Sequence, residues 1–385
     1  MHRNLTRSII VSAACLGLFG SHLTSPALAA TNAPIARMDV GGGSLTGTVS
    51  ADGNTLFVPV DVRNSDNESI VGHVAFIDAD TNTVQSKVGV GVGPVRITPD
   101  ARGGRLYVTN AISGSVSVIN VAGQRVTATI DVGGVPFYSA FVPSQSRLLV
   151  ATGPTGQLAV VDTRSNAVVD RLELGGDVNT IVSSNDGRFA FATNDALNRL
   201  DVVDARTLEV IAQVPTGAGP NRVVATPNGR LLLVSNFDAG TVTVIDGRSF
   251  EVIREISVGS NPLPAVIAPD GAWAWVASAA TNAAVKIDLK GIRSNANPIA
   301  RRTPTGNEPW MLLLNATGST LYVANRQSPE LTVVCTKNGR TRTPLATTNP
   351  NRWITAGKAI YTGGASPVVD VIEATSLKKQ RCPID

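Results

Sequence analysis

Residues 226–259, TPNGRLLLVSNFDAGTVTVIDGRSFEVIREISVG, alternate apolar and polar positions in three short runs, 230–235, 241–245 and 251–258, parted by Asn-Gly, Ala-Gly and Asp-Gly. Alternate side chains of a strand face opposite sides of a sheet, and Gly and Asn accept the positive φ of tight turns, so the pattern predicts an antiparallel meander. A lone meander leaves one face wet and needs neighbours of its own kind. The residue closing the middle strand recurs at Asp78, Asn120, Asp162, Asp204, Asp246 and Asp288, a constant step of 42 residues, and continues less regularly at Cys335 and Glu373. A repeat of about 40–45 residues carrying four strands each predicts propeller blades.

Read this way, the chain is all-β: a single closed β-propeller of four-stranded blades, with eight blades favoured over seven. Blade 1 takes strands A–D at 47–52, 55–60, 73–77 and 84–90. The middle strands B and C then fall at 105–109 with 115–119, 147–151 with 157–161, 188–193 with 199–203, and 230–235 with 241–245. Blades 6 to 8 follow at 272–277 with 284–287, 320–324 with 331–334, and a shorter pair at 358–362 with 368–372. Residues 33–41, APIARMDVG, read as a last strand that precedes any first strand, so they are expected to complete the final blade and close the ring, which removes exposed sheet edges. Two insertions break the period: a polar B–C connection at 61–72 in blade 1, and a swollen C–D connection at 290–302 in blade 6 carrying Arg293, Arg301 and Arg302. The first belongs to the face of the disc that carries the B–C and D–A loops, the second to the opposite face.

Composition refines the picture at the amino terminus. Arg3 and Arg7 precede an apolar run from Ile9, and Ala27-Leu28-Ala29 offers a small-x-small cleavage pattern, so residues 1–29 read as a secretory signal and 30–385 as the propeller, exported to the periplasm or beyond. A lipoprotein reading at Cys15 is disfavoured because the apolar run continues past it. No other segment is long and apolar enough to span a bilayer. Removing Arg3 and Arg7 takes the formal charge from +4 to +2, too small an excess to argue for nucleic acid or anionic membrane. His2 and His22 leave with the signal, so His73 alone remains; of the cysteines Cys335 and Cys382 remain, an even number in an oxidising compartment. They are expected to form a disulfide contributing about 3 kcal/mol.

LYVTN at 106–110, LLVSN at 232–236 and LYVAN at 321–325 each follow a PDG-like turn and precede a V-x-V-I-D strand and a V-G-x-x-P link. These words resemble the YVTN β-propeller repeat family over nearly the whole mature chain. The resemblance implies an exported propeller of bacterial or archaeal type. Related propellers in haem-dependent nitrite reductases and in copper or quinone enzymes carry cofactors, so it does not by itself assign an activity.

The candidate chemistry is sparse. With one histidine and no C-x-x-C-H, a histidine-built metal or haem site and a Ser-His-Asp device are disfavoured; no catalytic residue, metal site or cofactor is predicted. The repeated Asp is expected to accept turn N–H groups, a structural duty needed once per blade. The D–A links lead into the innermost strands, and aligning V-G-x-x-P brings together Arg96, Tyr138, Asn179, Arg222, Leu263, Trp310, and Arg352 with Trp353. Guanidinium forks and aromatic faces around one mouth suit an anionic, flat or sugar-like ligand. Asn110, Asn194, Asn236, Asn325 and Arg326, just after strand B, could add to that face, Asn there being mainly a turn former. The leading reading is a monomeric, non-enzymatic propeller binding a small anionic or planar ligand or a protein partner at Arg96, Tyr138, Asn179, Arg222, Trp310, Arg352 and Trp353. The alternatives are a periplasmic lyase, hydrolase or quinone-dependent oxidoreductase, and single-stranded nucleic-acid binding by the same arginines and tryptophans.

Overall fold

The computed structural model describes residues 33–294, 296–372 and 382; the signal read over residues 1–29 lies outside them, as does Glu373. Among the described residues, eight antiparallel sheets form a propeller ring, and the helical content is two single 3-10 turns at Pro143–Gln145 and Ala279–Thr281. Blade 5 shows the plan: strand A Pro220–Ala225, B Leu231–Asn236, C Thr241–Asp246 and D Val252–Ser257, paired in that order outward from the axis. The eighth blade takes A, B and C from Trp353–Ala356, Ile360–Gly363 and Val368–Ile372, and its outer strand from the start of the chain, Ala36–Asp39, paired from Ala36↔Val371 to Asp39↔Val368. The ring is therefore eight-bladed and closed by the amino-terminal strand. Its C strand would otherwise present an unpaired edge.

The core is not one cluster but eight, each lying between two neighbouring blades. Phe57 and Phe76 of blade 1 meet Leu106 and Ile119 of blade 2, for example, and Leu56 and Ile77 of blade 1 meet Trp353, Tyr361 and Val371 of blade 8. Strands B and C are consequently buried on both faces, as in Leu231–Asn236, where five of six residues are inaccessible. Small hydroxyl side chains on the second face, such as Thr109 and Ser117, are buried but hydrogen-bonded. The D strands are mostly exposed, because each is the rim of its blade.

The repeated acid behaves as a turn clasp. The Asp246 Oδ1 accepts from the N–H groups of Arg248 and Ser249, at 2.8 and 2.9 Å, and Asp78, Asp162 and Asp204 do the same in their own turns. These amides hold the four carboxyls below the usual carboxylate range. Asn120 makes the equivalent bond to Gly123 N at 2.6 Å, so an amide oxygen suffices.

Two expectations need correction. The blade 1 insertion is not a loop: strand B runs through Thr55–Arg63 and strand C starts within Ser69–Asp78, extending the hairpin by the pairs Asp61↔Gly72, Val62↔Val71 and Arg63↔Ser69. Asn64 closes the tip, its Oδ1 accepting from the N–H groups of Asp66 and Glu68. In blade 6 the connection ends earlier than expected, since Arg301 and Arg302 already belong to strand D, Ile299–Pro304. What remains folds back on blade 5, with Arg254 donating to the carbonyls of Ser294 and Ala296, and Arg293 paired with Asp246.

Candidate functional site at the channel mouth

The V-G-x-x-P link sets the geometry of the inner strands. Pro94, Pro220 and Pro309 stand opposite Asn110, Asn236 and Asn325, and in all three the pairing then slips by one residue, so that Arg96 faces Thr109, Arg222 faces Ser235 and Met311 faces Ala324. Proline has no N–H to give the ladder, which makes the start of the strand a natural place for a bulge. Blade 4, with Val178 in the proline position, slips in the same way and brings Thr180 opposite Thr193. In blade 3 the Tyr138 carbonyl accepts from Ala151 N, on the corresponding rung.

Three of these side chains meet. The Arg96 guanidinium carbon lies 4.7 Å from the centre of the Tyr138 ring, and that of Arg222 lies 4.4 Å from it, so blades 2, 3 and 5 converge on one aromatic plane. Arg222 Nη1 also donates to Thr180 Oγ1 at 3.0 Å and to the Asn221 carbonyl at 2.7 Å, while the Thr180 hydroxyl donates to the same carbonyl. The ring contact positions both guanidinium groups, and the bonds to Thr180 and Asn221 hold that of Arg222. Among the described residues neither Arg96 nor Arg222 forms an ion pair, whereas Arg199 is paired with Asp201 at 2.8 Å and Arg326 with Glu308 at 2.8 Å. The two guanidinium groups beside Tyr138 thus have no carboxylate within ion-pair distance among the described residues.

Other members of the expected set fall elsewhere. Trp353 is corrected: it is 1% exposed, lies against Gly47 and Gly363, and donates its indole N–H to Ser44 Oγ at 2.8 Å, so it anchors the seam between blades 8 and 1 and offers no face to a ligand. Asn179 is also displaced, because the one-residue slip gives Thr180, not its neighbour, to Arg222. Trp310 is half-buried beneath Arg326, whose guanidinium carbon lies 4.7 Å from the ring centre and which is itself held by Glu308. Arg352 gives its backbone N–H to the Gly363 carbonyl and takes no part in the stack on Tyr138. Asn110, Asn194, Asn236 and Asn325 are fully buried, and their amides bond to strand C side chains such as Ser117, Asp201, Thr243 and Thr332, a structural duty. Thr180 and Met311 were missed; counting two residues on from the proline position would have found both.

Among the described residues there is no group of three or more His, Cys, Asp or Glu side chains able to hold a metal, and no helix is long and apolar enough to cross a membrane. His73 is 8% exposed on a third strand from the axis, with Nε2 2.7 Å from the Val40 carbonyl, and burial lowers its pKa. Cys335 and Cys382 are joined in a disulfide, Cα atoms 5.4 Å apart, as expected. The pair suits an oxidising compartment.

A family model, the cytochrome D1 haem domain, matches two overlapping stretches, residues 103–225 and 155–263, less than half of the chain; the overlap is what a match carried by the repeat produces. No curated protein matches. Among solved structures, the chain is similar to the hydrazine synthase of Kuenenia stuttgartiensis, at 22% identity and a TM-score of 0.59 over 77% of this chain and 98% of that one. It is also similar to the Cps50 (Swd1) β-propeller domain of Myceliophteria thermophila, at 13% identity and a TM-score of 0.57 over 75% and 99%. At these identities the likeness is one of fold. A haem of the kind the family model names requires an axial donor. The described histidine and cysteines are committed at the seam and in the disulfide, so the mouth does not fit a histidine- or thiolate-ligated haem.

Proposed function

We propose that this chain is an exported, non-enzymatic β-propeller of the YVTN-repeat type, and that it holds a small anionic ligand at the mouth of its channel. The reading rests on one observation: two guanidinium groups from blades 2 and 5, stacked on Tyr138 and, among the described residues, without carboxylate partners. Arginine forks pair bidentately with carboxylate or phosphate, and forks already immobilised by stacking lose little freedom on binding. Thr180 supplies the second bond that keeps Arg222 in place. Among the described residues, Arg96, Tyr138, Arg222 and Thr180 at the mouth form no acid–base or nucleophile pair with one another, which favours binding over turnover.

The test is isothermal titration of mature protein with acetate, succinate and inorganic phosphate at low salt. Arg222→Ala and Arg96→Ala should each weaken the bound anion by about tenfold to a hundredfold, the worth of one charge-assisted hydrogen-bonded group, and the affinity should fall as salt is added. Binding unchanged in both variants would remove the reading.

A further inference from the structure

The inner strand of blade 7, Pro309–Leu314, reads PWMLLL, and four of its side chains, Trp310, Met311, Leu313 and Leu314, are only half-buried. In the equivalent strands the half-buried positions are mixed or polar: Val95, Arg96, Thr98 and Pro99 in blade 2, and Asn221, Arg222, Val224 and Ala225 in blade 5. Met311 and Leu313 pack on one side against the core between blades 7 and 8, and Trp310 and Leu314 against that between blades 6 and 7. Their remaining surface borders the axis. In the neighbouring inner strand of blade 6, Pro264 is half-buried as well, whereas Ile354 of blade 8 is buried in the core between blades 7 and 8. In a ring of eight, blade 7 stands opposite blade 3, so this apolar surface faces the Tyr138 cluster across the mouth.

Building on the anion-binding reading above, we infer that the ligand is an organic acid with an apolar body. Its carboxylate bonds to Arg96 and Arg222, and its flat or aliphatic part lies toward Met311 and Leu313. Binding sites are commonly apolar surfaces with a few placed polar groups, and a half-exposed run of Met and Leu on an inner strand has no use in a site for a hydrated inorganic anion.

Calorimetry with mature protein and a graded series of probes tests this: acetate, benzoate, 2-naphthoate, inorganic phosphate and the uncharged 2-naphthol. Affinity should rise from acetate to 2-naphthoate by at least about tenfold, since the larger ring removes more apolar surface from water. Met311→Gln should abolish the rise while leaving acetate binding in place; a melting curve checks that it folds, and Leu313→Gln serves if it does not. Equal affinity for acetate, phosphate and 2-naphthoate would overturn the apolar subsite and leave the anion site standing. Tight binding of 2-naphthol unaffected by Arg222→Ala would overturn both, as would the absence of binding by every acid in the series.

Discussion

At the scale of single residues, the mouth and the seam show how little sequence distance says about position. Arg96, Tyr138 and Arg222 come from three blades, occupy the same rung of their inner strands and meet, whereas Trp353, on the corresponding rung of blade 8 opposite Gly363, turns into the core. His73 is a buried titratable group at the seam. Its folded pKa is lowered from 6.5, chiefly by desolvation and then by the nearby Lys87, against a raising contribution from the Val40 carbonyl. Above pH 6.5 the imidazole is neutral in folded and unfolded chains alike. As the pH falls below it, the unfolded chain takes up the proton first, and stability is lost. Melting temperature should therefore drop between about pH 7.5 and about pH 5.5, a range in which histidine is the side chain that ordinarily titrates. His73→Gln, which keeps an N–H for Val40, should flatten that drop. An unchanged slope in the variant would assign the dependence to other groups.

At the scale of elements, one device is repeated and once replaced. Asp78, Asp162, Asp204 and Asp246 clasp the turn after strand C. Blade 7 has Cys335 at that place, and its outer strand is only Leu345–Ala346. The disulfide to Cys382 supplies there a covalent fastening in place of the carboxylate clasp. It closes a separation of 47 residues, and in the chain-entropy account such a loop is worth about 4 kcal/mol. Cys335→Ser with Cys382→Ser should lower the denaturation free energy by roughly that amount, and intact-mass measurement of native protein should reveal two alkylatable thiols only after reduction. Two thiols free before reductant would contradict the bond.

For the whole molecule, closure is the governing feature. Eight inter-blade clusters hold the ring, and the one between blades 8 and 1 depends on Met38 and Val40 of the amino-terminal strand. Deleting residues 30–40 should expose the edge of Val368–Ile372 and part of that cluster. The expected outcome, read by light scattering and thermal melting, is a lower and broader transition with self-association through the open edge. A monomer melting like the parent would show that closure is dispensable. The sequence determined the repeat, the eight middle hairpins, the closing strand, the turn clasps and the cysteine pair, because each follows from local chemistry or from a period that any one blade reveals. Only the tertiary structure decided which link residues share the mouth. A one-residue slip after proline exchanges Asn179 for Thr180 and brings forward Met311; the slip leaves no mark in the apolar-polar pattern, though a constant count of two from the proline position carries it. That Arg96 and Arg222 meet on Tyr138 was likewise out of reach of the sequence, since contact across a channel depends on how the blades close around the axis.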